Sequence, residues 1–196
     1  WLTQNIENKF GLLIWECLIS SQVFTSEEKN ILIELARKLL QEKKENSNWS
    51  SIFEILLRKT QVNSELLIYG ITWVLEHEYR SDTPKVAFNI ANNYEKIPLK
   101  YRYRLHEWIR NWVHTSHPKN REWPDGWAAY WIFMPTVESV ELALKWIEVN
   151  PEYTQSTVWI IKFLFQTRRL DVINRIEKWH EKHLDHPIGK TIKEYL

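Results

Sequence analysis

Between residues 137 and 149 the polar and apolar positions fall into two stripes at helical spacing. Glu138, Glu141, Lys145 and Glu148 make a polar stripe, and Val140, Ala143, Leu144, Trp146 and Ile147 make a broad apolar face. Asn150-Pro151 closes the segment, so the pattern predicts an amphipathic helix that stops there. The pattern returns over residues 170–187. There Asn174, Lys178 and Glu181 hold the polar stripe, and Val172, Ile173, Ile176 and Trp179 hold the apolar face.

Anchoring on the tryptophans extends the recurrence. Trp73, Trp112, Trp146 and Trp179 stand 39, 34 and 33 residues apart. Three residues before them come Gly70, Ile109, Ala143 and Ile176. Beyond them come Pro84, Pro118, Pro151 and Pro187, spaced 34, 33 and 36. Proline lacks the amide donor that a helix interior requires, so each one ends a helix and can open the next. The pattern then predicts helices in pairs. The first pair is 2–20 with 26–45, started by Thr25-Ser26-Glu27-Glu28. It is followed by 49–60 with 63–80 (joined near Asn63-Ser64), 84–94 with 98–116, 123–134 with 137–149, and 153–167 with 169–184. A last helix, 187–196, has no partner in this chain, and Ile188, Ile192 and Leu196 are expected to form an exposed apolar edge. Lys43 to Ser47 is the one linker-like stretch.

Composition narrows the class. Hydrophobic residues make up 44% of the chain, enough for a packed core. Four glycines and seven prolines in 196 residues are too few for a many-stranded β-protein. A net charge of +1 implies no global pull toward nucleic acid or an anionic membrane. A single cysteine, Cys17, forbids an internal disulfide and fits a reducing, cytoplasmic setting. It lies in the apolar stretch Ile14-Trp15-Glu16-Cys17-Leu18-Ile19 and is expected in the core. No apolar run reaches the roughly 18–20 residues of a membrane span. The chain begins at Trp1 rather than Met, which is expected of a piece of a longer polypeptide in which this part works beside other domains.

A period near 34, two helices per unit and a proline after the second helix resemble the tetratricopeptide-type α-solenoid over residues 49–196. Val140 to Pro151 is similar to that family's second helix with its terminal Asn-Pro. The match is divergent: only Gly70 and Ala143 supply the small residue the family places at helix contacts, and large tryptophans occupy sites usually held by smaller residues. A HEAT-like or other helical repeat stays open. The resemblance implies an all-α, right-handed solenoid of about five helical hairpins, with residues 1–47 an atypical helix pair packed on the repeats of 48–196. It also implies a protein- or peptide-binding scaffold whose first helices line a concave face.

On those first helices stand the candidate contacts. Trp123, Trp127 and Trp131 recur at four-residue intervals beside Tyr130. Pro124-Asp125-Gly126 marks the helix start, which puts Trp123 in the preceding loop. Rings so placed line an aromatic groove, or else pack between hairpins. Asn89, Asn92 and Asn93, with Trp159 and Lys162, could read a ligand's main chain, since amides both donate and accept; a solvated face is the alternative. From Lys96 to Arg121 the chain carries Lys100, Arg102, Arg104, Arg110, Lys119 and Arg121, with Tyr101, Tyr103, Trp108 and Trp112 interleaved. Cations with rings suit a polyanion, and nucleic acid is the alternative ligand class. Arg102 and Arg104 cannot share one helical face with Tyr101 and Tyr103, however. His180, His183 and His186 recur at three-residue spacing, but no cysteine supports a metal site and the histidine spacing is not that of a zinc hydrolase. No phosphate-binding glycine loop or nucleophile motif is present. The sequence therefore predicts a binding protein with no cofactor, no metal and no catalytic residues, which recognises a protein or peptide without involving a membrane.

Overall fold

A computed structural model describes residues 5, 9–42, 44, 45, 47–60 and 62–195. Among these residues there are eleven α-helices, one 3-10 turn and no strand. The helices are α1 (Lys9–Ser20), α2 (Ser26–Glu42), α3 (Trp49–Lys59), α4 (Ser64–Glu76), α5 (Thr83–Ala91), α6 (Leu99–Thr115), α7 (Trp123–Phe133), α8 (Val137–Val149), α9 (Thr154–Gln166), α10 (Leu170–Lys182) and α11 (Gly189–Tyr195). The 3-10 turn is Tyr94–Lys96. The protein is therefore all-α. Residues 2–4 and 6–8 of the first expected helix, Lys43 and Asn46 of the linker-like stretch, and Leu196 lie outside the described residues.

The chain divides into two compact units, Trp1–Leu105 and His106–Leu196, with the boundary inside α6. α1 and α2 both pack on α3, the first helix after residue 47. Trp49 donates its indole N–H to the Leu40 carbonyl at 3.0 Å, and Arg58 pairs with Glu16 at 3.0 Å. In the first unit α5 also packs on α3 and α4. In the second unit each helix packs on the next and the next but one: α7 on α8 and α9, α8 on α9 and α10, α9 on α10 and α11.

Side chains satisfy the open starts of α2, α4 and α8. At α2, Thr25 and Glu28 exchange bonds: the Glu28 amide donates to the Thr25 hydroxyl and the Thr25 amide to the Glu28 carboxylate. The Thr25 amide and hydroxyl both donate to the Glu28 carboxylate and hold it below its ordinary range. Asn63 caps α4 by accepting from the Leu66 amide at 3.0 Å. Thr136 and Ser139 form a reciprocal box at α8. In α8, Val140, Ala143, Leu144, Trp146 and Ile147 are all buried while Glu138, Glu141, Lys145 and Glu148 face out.

One turn recurs. After α4 the amide of Arg80 donates to the His77 carbonyl, Thr83 to Arg80 and Val86 to Asp82. After α6 the same ladder runs Asn120 to His117, Trp123 to Asn120 and Gly126 to Glu122. After α10 it runs His186 to His183, Gly189 to His186 and Ile192 to Ile188. A shorter form follows α8, with Tyr153 to Asn150 and Thr157 to Tyr153. In three of the four turns the residue that opens the turn also caps the helix. Nδ1 of His77 and of His183 donates to the carbonyl of Trp73 and of Trp179, and the Asn150 amide donates to Trp146.

Counting four residues back from each turn reaches Trp73, Trp146 and Trp179, but after α6 it reaches Val113 and not Trp112. Val113 is buried there and Trp112 half-buried. The expected Trp112 anchor is therefore displaced by one residue. Its ring serves a different contact: it lies against Gly126, where a Cβ would come within 2.3 Å of the indole.

Three further expectations are corrected. Trp123 opens α7 instead of preceding it, and stacks on Trp146 with centroids 5.5 Å apart. Cys17 is exposed, on a side of α1 where Leu13 and Ile14 are exposed too. Ile188 and Ile192 are buried against α9 and α10 and make no exposed edge.

Candidate functional site

The aromatic candidates on α7 are core. Trp127 is 0% exposed, Tyr130 1% and Trp131 5%, so no ligand reaches them in this conformation. The cause lies in the helix itself: Ala128 and Ala129 fill the sides that the tryptophans leave, so α7 is buried on every side from Gly126 to Trp131, and only Asp125, Ile132 and Phe133 toward its ends are half-buried. The Trp127 indole N–H donates to the Ser139 carbonyl at 2.8 Å, which satisfies its one polar atom without solvent. Tyr130 lies parallel to His106 at 6.1 Å and edge-on to His114 at 5.9 Å. Burial pushes its hydroxyl above the usual range and pushes His106 below it.

Trp159 and Lys162 remain accessible. Trp159 is half-buried, its ring 5.5 Å from Phe163, and Phe163 meets Trp127 edge-on. Lys162 is exposed. The asparagines belong to the first unit. Asn92 ends α5 and is exposed, Asn89 is half-buried, and Asn93 donates its amide to the Asn89 carbonyl at 3.2 Å. Asn93 thus finishes the helix it follows, and the candidate peptide contacts divide between two units.

The basic candidates divide as well. In the first unit Lys100 and Arg104 are exposed, whereas Arg102 turns inward. Its guanidinium donates to the Ile97 and Glu95 carbonyls at 2.6 and 2.8 Å and lies 4.3 Å above the Tyr94 ring. In the second unit Arg110 is exposed, Lys119 faces Glu152 at 3.9 Å and Arg121 lies over Tyr153.

The three histidines turn to separate partners. His183 bonds to Trp179, His186 Nε2 lies 3.2 Å from the Ile147 carbonyl, and buried His180 has no hydrogen-bond partner at either ring nitrogen. Among the described residues no three His, Cys, Asp or Glu side chains are placed to hold one metal ion.

Two hollows run along α2 in the first unit and were not foreseen. One, of about 540 Å³, is lined by Glu34, Arg37, Lys38, Leu40, Glu65 and Tyr69 among others. A second adjoins it through Glu34, Arg37 and Asn63 and reaches Asn30, Ile33 and Lys59. Together they form an open groove with buried Leu40 and Leu66 at its base. The rim carries both signs: Glu34, Glu42 and Glu65 against Arg37, Lys38 and Lys59, with Arg37 paired to Glu34 at 2.7 Å. Asn30, Gln41 and Tyr69 add neutral donors and acceptors. The walls come from residues some thirty positions apart, so no local motif could announce the groove.

No family model, no curated protein and no solved structure matches the chain.

Proposed function

We propose that this chain is a helical-repeat scaffold that binds an extended segment of a partner protein in the groove along α2. The open groove with an apolar base and a rim of both signs carries the reading. Apolar side chains of a peptide fit the Leu40 and Leu66 base, and its main-chain amides and carbonyls meet Asn30, Gln41 and Tyr69. Arg37 and Lys38 beside Glu34 and Glu65 suit a chain carrying both charges, and a pure polyanion would be repelled by the carboxylates. The solenoid part of the reading draws on two local features: the turn ladder that recurs after α4, α6 and α10, and packing of helices on the next and next but one. The concave-face version, with ligand on Asn89, Asn92, Trp159 and Lys162, is the weaker one, because Trp127, Tyr130 and Trp131 drop out of it.

Panning a displayed library of random peptides of about twelve residues against the chain tests this. Recovered peptides are expected to lose binding on Tyr69→Ala and on Arg37→Glu, by about tenfold or more for each well-packed contact. Trp159→Ala and Lys162→Ala are expected to leave binding unchanged. The groove is excluded if these two variants abolish binding while Tyr69→Ala does not, and the whole reading is excluded if the library yields no binder.

A further inference from the structure

Six cations of the first unit are held by acids, Arg37 and Lys38 by Glu34 and Glu42 on their own helix. Lys44 pairs with Glu76, Arg58 with Glu16, Arg80 with Asp82 and Lys85 with Glu54. The stretch Tyr94–Leu105 differs. Its one acid is Glu95, and it carries four cations. Lys96, Lys100 and Arg104 are exposed and enter no ion pair among the described residues. Beside them stand two large side chains that the fold leaves in water: Tyr103 is 68% exposed and Leu99 78%.

Helix geometry sorts these into rows. Leu99 and Tyr103 are four residues apart on α6, and so are Lys100 and Arg104; each row advances about 6 Å per step along the axis. An apolar row ending in the Tyr103 ring therefore runs next to a cation row. Lys96 extends the charge past the helix start. The base beneath is fixed, because Arg102 ties the Ile97 and Glu95 carbonyls together and covers Tyr94. The two arginines of this stretch thus have opposite tasks, with Arg102 spent on structure and Arg104 left open.

We propose that Lys96–Arg104 is a binding strip for single-stranded nucleic acid. Lys96, Lys100 and Arg104 contact successive phosphates, and a base stacks on Tyr103. A duplex hides the base faces that an exposed ring would stack on, so the ring selects a single strand. An anionic membrane would call for charge spread widely, and here it is confined to nine residues in a chain of net charge +1. This strip shares no residue with the α2 groove, so each proposal can fail alone.

Fluorescence anisotropy of the 196-residue chain with labelled oligo-dT and oligo-rU of about twelve nucleotides tests it. Binding is expected to weaken with salt at a log–log slope of about −2, three contacts at roughly −0.7 each. The triple change Lys96→Gln, Lys100→Gln, Arg104→Gln is expected to flatten that slope and to lower affinity at low salt by tenfold or more. Tyr103→Ala is expected to lose about 5- to 100-fold at unchanged slope, and Tyr103→Phe to retain binding. Tyr69→Ala, in the groove, is expected to change nothing. All these positions are exposed or half-buried, and unchanged melting temperatures would show that the variants fold. Absence of binding at low salt, indifference to the triple change, equality of Tyr103→Ala with the parent, or stronger competition by phosphatidylserine vesicles than by unlabelled oligonucleotide would each overturn the proposal.

Discussion

Gly70 sits where two helices press on a third. A Cβ built there would come within 2.4 Å of Phe53 and 2.9 Å of Ile90, and Gly70 and both of these neighbours are buried. Its φ is not positive, so the limit is space and not backbone conformation. Alanine would gain about 1 kcal/mol in helix propensity but cost about 1–3 kcal/mol in overpacking. Gly70→Ala is therefore expected to destabilise the first unit, measured as a lower urea midpoint with unchanged m-value; a higher midpoint would show that Phe53 yields freely. The residue scale is also where sequence reasoning was least reliable. A tryptophan looks the same in sequence whether it lines a groove or fills a core. Trp127 and Trp131 are core because α7 is buried on every side from Gly126 to Trp131, and that is visible only once Ala128 and Ala129 are counted as buried surface. Cys17 erred the other way: apolar neighbours on both sides did not prevent its own side of α1 from facing out.

Among the elements, Asn150 shows how a helix end is tied to its neighbour. It is fully buried and donates to the Trp146 carbonyl at 2.8 Å and the Pro118 carbonyl at 2.9 Å. Its own oxygen has no partner. Asn150→Ala would strand the buried Trp146 carbonyl, release the part-buried bond to Pro118 and remove one orphan oxygen, a net loss of about 1–2 kcal/mol. Asn150→Asp is expected to cost more at neutral pH, since a carboxylate would then face carbonyl oxygens; thermal unfolding of both variants checks the order, and an Asp variant as stable as the parent would reject this account. Element boundaries were well read from sequence. The helix expected over 137–149 is α8 itself, and 98–116 becomes Leu99–Thr115. Apolar period, prolines and the Asn-Pro stop act within one turn of the chain, so they are local and legible. The anchor at Trp112 was not, because a one-residue slip at the end of α6 changes which side chain meets the core. The groove along α2 was not legible either, since its walls meet only through tertiary packing.

At the scale of the molecule, acid sensitivity is expected to concentrate in one unit. His106 and His186, both in residues 106–196, have pKa values lowered from 6.5, in each case chiefly by burial. Around His106, Glu107 opposes the shift and Arg110 adds to it, with Tyr130 and Phe133 on its ring faces. Around His186, the Ile147 carbonyl and Glu148 oppose the shift and His183 adds to it. A lowered folded pKa means that the unfolded chain binds protons first as the pH falls. Stability is then complete above 6.5 and is lost progressively as the pH drops through 6.5 toward the lowered folded values. Hydrogen-exchange protection factors, corrected for intrinsic rate, are expected to fall between about pH 7.5 and pH 5 for residues 106–196 more than for residues 9–105. His106→Phe keeps an aromatic ring between Tyr130 and Phe133 and removes both the titrating group and the buried, unpartnered Nε2. The variant is expected to be at least as stable as the parent at about pH 7 and to show a shallower decline on acidification. If its profile parallels the parent's, burial of this imidazole is not what couples the second unit to pH.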